Sequence, residues 1–181
     1  MAFIRPSLTL FVLASVCAVI LAFIYDITRE PIRLQQIAQE TAMVAELLPG
    51  TVETLEEYVD NHAVTKVVQG FNDQGDLLGY VITASAPGYS GPVVIMAGFN
   101  AGGTLTAVQV LSHRETPGLG TAILAPSFLE QFEGRTEPMT VVRMATSDNE
   151  IQALASATIS TAAVVNGINA AMSYVATYIM E

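Results

Sequence analysis

Four hydroxyl side chains lie within six residues near the carboxyl end of the chain, in the run of residues 156–161 (SATIST). An apolar segment follows, so the run is predicted to open a helix, with Ser156 at the position typical of an N-cap. The first turn of a helix offers unpaired backbone N–H groups and a positive dipole end, which together attract phosphate. Ala157 leaves room for a ligand. The alternative that composition leaves open is simple capping.

A second candidate stretch runs from Glu115 to Gly120 (ETPGLG). Its Pro-Gly pair predicts a turn, and Gly120 allows close approach of the backbone to a ligand. Backbone N–H groups and the Thr116 hydroxyl could donate to ligand oxygens. A plain turn would explain the Pro-Gly pair but not the whole hexapeptide.

The sequence contains no pattern that indicates a metal site or an acid–base catalytic site. His113 has only one other histidine to pair with, His62, and their spacing is not that of a metal site. Glu115 has no recognisable partner carboxylate or nucleophile. No catalytic residue and no metal ligand are therefore assigned.

The amino-terminal segment is predicted to cross a membrane. Residues 7–25 run without a charge and are rich in Leu, Val, Ile and Phe, which is enough to span a hydrocarbon core of roughly 30 Å. The alternative is a cleaved signal peptide, but bulky residues, Phe23 to Tyr25, stand where a small-residue cleavage site would be. The formal net charge of −10 argues against nucleic acid as a partner.

The pattern along the chain predicts an α+β fold, with helices packed on a twisted antiparallel sheet. Helical spacing extends from Asp26 to Leu48, with a break expected near Pro31. Strands, a short helix and a closing helix are predicted after it, at residues 63–68, 77–84, 93–99, 105–111, 126–132, 139–145 and 158–179. The domains are then an anchor (1–25), a connecting helix (26–50) and a soluble domain (51–181).

Both candidate stretches resemble a known family, the FMN-binding domain of the G subunit of the Rnf electron-transport complex. The C subunit of the sodium-translocating NADH:quinone reductase is a relative. The stretch from Glu115 to Gly120 matches the family's loop without a change, and Gly88-Tyr89-Ser90-Gly91 also resembles it. In this family a threonine carries FMN through a phosphoester, and Thr158 stands at that position. Gln152, Ala155 and Ser156 replace the usual aspartate, hydroxyl residue and glycine, so noncovalent FMN stays open.

The resemblance implies a set of site residues. Thr158 would carry the covalent FMN, and the other expected cofactor-binding residues are Ser156, Ala157, Ser160, Thr161, Glu115, Thr116, Gly118, Leu119, Gly120, His113 and Tyr89. An exposed tyrosine of a hairpin turn is an equal alternative for Tyr89.

The function that the resemblance implies is electron relay in an ion-translocating ferredoxin:NAD oxidoreductase complex. The chain would be a single-pass protein of the cytoplasmic membrane with its soluble domain on the outer side, an electron-transfer component of a translocase that is not catalytic alone. Its expected partners are the other membrane subunits of the complex and a flavin transferase. Two alternatives stay open: a structural subunit that has lost its flavin, and a stand-alone anchored flavin domain that serves another reductase.

Overall fold

The computed structural model describes residues 4–59 and 63–180. It falls into two units, Met1–Thr41 and Ala42–Glu181. His62 lies outside the described residues.

The first unit consists of most of a single long helix, α1 (Ile4–Leu47). By length and composition this is the one helix of the described chain that could cross a membrane, with a mean hydropathy of 2.7 in its most apolar window. The expected break at Pro31 is wrong, because α1 runs through this residue. Proline removes a single backbone hydrogen bond, and the helical bonds on either side carry the helix past it.

The second unit is built on a five-stranded antiparallel sheet in which neighbours along the chain are neighbours in the sheet. Its strands are β1 (Glu53–Tyr58), β2 (Val64–Phe71), β3 (Leu77–Pro87), β4 (Pro92–Asn100) and β5 (Leu105–Ser112). The four strands predicted between residues 63 and 111 correspond to β2 through β5. The edge strand β1 was missed, since its sequence ETLEEY is acidic and all six residues are exposed.

The remaining elements are short, apart from the closing helix. They are α2 (Pro126–Leu129), β6 (Thr140–Val142), β7 (Glu150–Gln152) and α3 (Thr158–Tyr174). A turn of 3₁₀ helix covers Gly120–Leu124, another follows α2, and a π-helical turn (Val175–Ile179) follows α3. The strand predicted at 139–145 is shorter in the structure and pairs with β7 in parallel.

The centre of the sheet is buried on both faces. Ile82, Ile95 and Phe99 belong to the larger core with Val164 and Ile168 of α3. A smaller cluster joins other sheet residues, Val68, Val81 and Met96, to Val44 and Leu47 at the end of α1 and to Leu48, which follows it. Burial on two faces explains why β3 and β4 read as continuous apolar runs rather than as alternating ones.

A glycine in α3 allows this helix to lie close to the sheet. A Cβ at Gly167 would lie 2.9 Å from Cγ1 of Ile95, and Ile95 is fully buried. Gly167→Ala should therefore destabilise the fold even though alanine favours helix, because overpacking costs about 1–3 kcal/mol. After the gain of about 1 kcal/mol in helix propensity a net loss of up to about 2 kcal/mol remains, so we expect the thermal midpoint of the full chain in detergent to fall by up to about 8 °C.

Asn166→Ala is the matched control, since Asn166 is the exposed neighbour of Gly167 in α3. It should leave the midpoint unchanged or raise it slightly. A midpoint raised by Gly167→Ala would show that the helix does not approach the sheet as closely as described.

Candidate functional site

Three segments that are distant in sequence meet around a cavity of about 600 Å³. They are the turn between β3 and β4, the loop after β5 and the start of α3. The lining residues are Tyr89, Glu115, Thr116, Leu119, Gly120, Ser156, Ala157, Thr158, Ile159 and Ser160.

The loop after β5 is shaped by a tight turn at Pro117 and Gly118. The Leu119 N–H donates to the Thr116 carbonyl (3.2 Å), and Gly118 has φ +78°. Proline followed by a residue of positive φ is the arrangement of a type II turn. The Gly118 N–H also donates to Oγ1 of Thr121 (2.9 Å), so the turn is tied to the 3₁₀ segment that follows.

The start of α3 presents unpaired N–H groups toward the cavity lining. Ala157 is the N-cap residue and supplies no side-chain cap, so the N–H groups of Thr158, Ile159 and Ser160 have no partner within the helix. The residue before it, Ser156, has φ +62°, and it is the one non-glycine residue of positive φ among those described.

The hydroxyl groups of this segment divide into two kinds. Ser160 donates to Glu115, and Thr161 both donates to the Ala157 carbonyl (2.9 Å) and accepts from the Leu154 N–H (3.1 Å). Ser156 and Thr158 are exposed, and their hydroxyls make no hydrogen bond to any described residue. Of the four hydroxyls of residues 156–161, only these two are therefore available to a ligand.

Glu115 lines the cavity, and both of its carboxylate oxygens accept hydrogen bonds from the protein. Oε1 accepts from the N–H of Tyr89 (2.9 Å) and of Ser90 (3.1 Å), and Oε2 accepts from Oγ of Ser160 (2.5 Å). Burial is the largest single influence on the pKa of Glu115 and raises it, but these three hydrogen bonds and nearby His113 outweigh burial, so the net pKa is lowered. The side chain is therefore ionised at neutral pH.

The structure brings most of the predicted site residues together but not all. Nine line the cavity: Tyr89, Glu115, Thr116, Leu119, Gly120, Ser156, Ala157, Thr158 and Ser160. Gly118, His113 and Thr161 do not line it; Nδ1 of His113 accepts from the Glu115 N–H (3.2 Å), and Thr161 is fully buried. Ile159 was missed, although its place between Thr158 and Ser160 at the helix start could have indicated it.

Two family models match this chain. Residues 88–173 match the family model described as the FMN-binding domain, and residues 2–47 match that of the RnfG N-terminal region. The matched residues 88–173 include every segment that lines the cavity. The chain therefore carries an FMN-binding domain.

Relatives that match over most of their length identify the family of this chain. The G subunit of the ion-translocating oxidoreductase complex of Methanosarcina acetivorans is 31% identical over 177 residues, which cover 94% of this chain and 93% of that protein. The G subunit of the Na(+)-translocating ferredoxin:NAD(+) oxidoreductase complex of Acetobacterium woodii is 29% identical, with 91% and 87% covered. The chain belongs to the RnfG family, the G subunits of ion-translocating oxidoreductase complexes, which confirms the resemblance noted in the sequence.

Solved structures bear out the fold. The C subunit of the Na(+)-translocating NADH-quinone reductase from Parabacteroides distasonis superimposes with a TM-score of 0.52 at 18% identity, covering 69% of this chain and 76% of that one. NqrC of Shewanella oneidensis gives a TM-score of 0.50 at 20% identity, covering 69% and 65%. The predicted α+β class is confirmed.

The residues present fit FMN. The cavity volume of about 600 Å³ lies within the range of about 300–1,000 Å³ that is usual for cofactor sites. The N–H groups at the start of α3 suit a phosphate. Tyr89, Leu119 and Ile159, all more than half exposed, offer apolar surface for a flat aromatic ring.

Ser156 gives a prediction about stability. Positive φ costs a residue with a Cβ roughly 1–2 kcal/mol, whereas glycine avoids this cost and loses about 0.5–1 kcal/mol in backbone entropy. Ser156→Gly should therefore raise the free energy of unfolding by about 0.5–1 kcal/mol in denaturant titrations of the full chain in detergent.

Ser156→Ala is the control for this prediction. It removes a hydroxyl that has no partner among the described residues and keeps the Cβ, so it should bring no gain. Equal stabilisation by both variants would mean that the gain does not come from relief of the backbone.

Glu115 gives a prediction about pH. Because its folded pKa is lowered, its ionised form stabilises the fold at pH values above the ordinary glutamate pKa of about 4.3, and this stabilisation is lost as the pH falls through the folded pKa. Wild type should be more stable than Glu115→Gln at pH 7, and the difference should shrink as the pH is lowered below about 4.3. Thermal midpoints of both proteins across this range test it, and a difference that does not change with pH would contradict it.

Proposed function

We propose that this chain is the membrane-anchored flavoprotein electron carrier of an ion-translocating oxidoreductase complex, with FMN joined to Thr158 by a phosphoester bond. The observation that carries the proposal is the state of the Thr158 hydroxyl. It is exposed at the first residue of α3, it lines the cavity, and no described residue hydrogen-bonds it. The other hydroxyls of the helix start, those of Ser160 and Thr161, are already engaged.

The attachment step that we infer is a transfer from FAD by a separate flavin transferase. The Thr158 oxygen forms a bond to the phosphorus on the FMN side of the diphosphate, the P–O–P bond breaks, AMP leaves and the hydroxyl proton passes to a base of the transferase. The three residues at which this sequence departs from the family's pattern, Gln152, Ala155 and Ser156, are all exposed. The segment that leads to Thr158 is thus accessible to such an enzyme, even though its side chains differ from the family's usual ones.

The residues of the cavity bind and orient the cofactor in this proposal. The N–H groups of Thr158 to Ser160 hold the phosphate through the helix terminus, while Leu119 and Ile159 contact the ring and exclude water. Flavin supplies exchange of one or two electrons when bound. The protein then sets the position of the redox group and performs no bond chemistry on a substrate.

The family and the apolar helix α1 support a proposal for the place of the protein in the cell. We propose residues 1–25 as the membrane anchor, 26–50 as the connection and 51–181 as the FMN-binding domain, held on the outer side of the cytoplasmic membrane. The other subunits of the Rnf complex are the partners that exchange electrons with it.

The covalent bond is tested by intact mass. The full chain, coexpressed with a flavin transferase, should gain about the mass of one FMN and fluoresce in a denaturing gel. Thr158→Ala should lose both the added mass and the fluorescence, because the attacking oxygen is gone.

Ser156→Ala is the matched control, since Ser156 bears the other unengaged hydroxyl of the segment. It should keep the added mass. An adduct that survives Thr158→Ala and is lost in Ser156→Ala would move the attachment site. An unmodified wild-type chain would contradict the covalent proposal and favour noncovalent FMN or a structural role.

A further inference from the structure

Glu115 is the one buried carboxylate in the described part of the chain, with 5% of its surface exposed. Each of its oxygens is held by a different segment of the site. Oε1 accepts from the N–H groups of Tyr89 and Ser90 in the β3–β4 turn, and Oε2 accepts from the Ser160 hydroxyl in the first turn of α3. Glu115 itself belongs to the loop after β5. One side chain thus connects all three segments that line the cavity.

Two glycines make room for this carboxylate. A Cβ at Gly88 would lie 2.5 Å from Oε1, and a Cβ at Gly120 would lie 2.7 Å from Cβ and 2.8 Å from Oε2 of Glu115. Such distances are far below van der Waals contact. The sequence predicts that Gly120 lets a ligand approach; in the structure Gly120 lines the cavity, and the side on which a Cβ would lie is occupied by Glu115.

The three hydrogen bonds leave Glu115 poorly suited to hold the ligand directly. An ionised carboxylate has no proton to donate to flavin carbonyls or phosphate oxygens, and its charge would repel a phosphate. The location of its carboxylate beside the first turn of α3 is nevertheless favourable, because a negative charge is stabilised near a helix N-terminus. No other described acidic residue lines the cavity.

We propose that Glu115 is a positioning residue that holds the β3–β4 turn and the first turn of α3 in place around the cavity before FMN binds. It acts through Tyr89, Ser90 and Ser160 and does not contact the cofactor. The inference rests on the proposed function in one respect, that FMN is taken as the ligand. The hydrogen bonds of Glu115 themselves are formed within the protein and do not depend on the ligand.

Hydrogen–deuterium exchange of the flavin-free full chain in detergent, read by mass spectrometry, tests the proposal. The N–H groups of Tyr89 and Ser90 are protected only through Glu115 in this arrangement. Glu115→Ala should therefore speed exchange of a peptide covering residues 86–92 by at least about tenfold, since a hydrogen bond to a charged group is lost at each N–H. Peptides from the centre of β2 and β4 should be unchanged.

Glu115→Gln provides the rescue. Its Oε1 can still accept from both N–H groups, and its amide can donate to Ser160 Oγ, so the geometry is kept while the charge is removed. Because hydrogen bonds to charged groups are roughly twice as strong as neutral ones, exchange should fall between wild type and Glu115→Ala. Glu133→Gln, at an exposed carboxylate, is the control and should exchange like wild type.

A second measurement asks whether the positioning matters for loading. The fraction of chains that gain FMN in a fixed time with a flavin transferase should drop several-fold in Glu115→Ala and recover in part in Glu115→Gln. Wild-type exchange in Glu115→Ala, or increased exchange with unchanged loading, would overturn the proposal. If the wild type does not load at all, the covalent function fails, while the exchange of the flavin-free chain still decides whether Glu115 holds the segments.

Discussion

The packing of α3 on the sheet is the interaction on which the site depends. Val164 and Ile168 share a fully buried core with Ile95 and Phe99, and Gly167 lets the helix lie close to β4. This contact fixes where α3 begins, and with it the direction of the unpaired N–H groups of its first turn. The cavity exists because that terminus ends beside the β3–β4 turn and the loop after β5. A phosphate site made from a helix start is only as well placed as the helix itself.

The hydroxyl side chains at the start of α3 have two roles. Some form hydrogen bonds that stabilise the protein, and others remain available to a ligand. Ser160 and Thr161 have their hydroxyls bonded inside the protein, whereas Thr158, two residues from Ser160, has an exposed hydroxyl without a described partner. The difference comes from the helical period, since it places Ser160 and Thr161 on the buried side of the helix start and Thr158 on the exposed side. Burial therefore leaves Thr158 as the one threonine of residues 156–161 whose hydroxyl is accessible to a ligand.

Local pattern was enough to predict most of the fold, because β2 through β5 and α3 are apolar and bounded by turn residues. The pattern failed to predict elements and residue roles that depend on tertiary contacts. The edge strand β1 is acidic and exposed on both faces, so nothing in its own sequence distinguishes it from a loop. Among site residues, the stretch from Glu115 to Gly120 was visible, but the role of Glu115 depends on Tyr89, Ser90 and Ser160. These partners are 25 to 45 residues away in sequence, beyond the reach of spacing arguments.

Ser156 shows how tertiary structure maintains a conformation that the local sequence disfavours. Glycine adopts positive φ without strain, whereas a residue with a Cβ does not, and Ser156 has φ +62° nonetheless. The residues around it explain why: Ala157 is buried at the N-cap of α3, its N–H donates to the Leu154 carbonyl (3.0 Å), and Leu154 is in turn bonded to Thr161. Because both sides of Ser156 are fixed, the chain between them has to turn. The geometry that presents Thr158 is therefore set by the packing of α3 and by this hydrogen-bonded turn, and it is kept although the residue at positive φ is not a glycine.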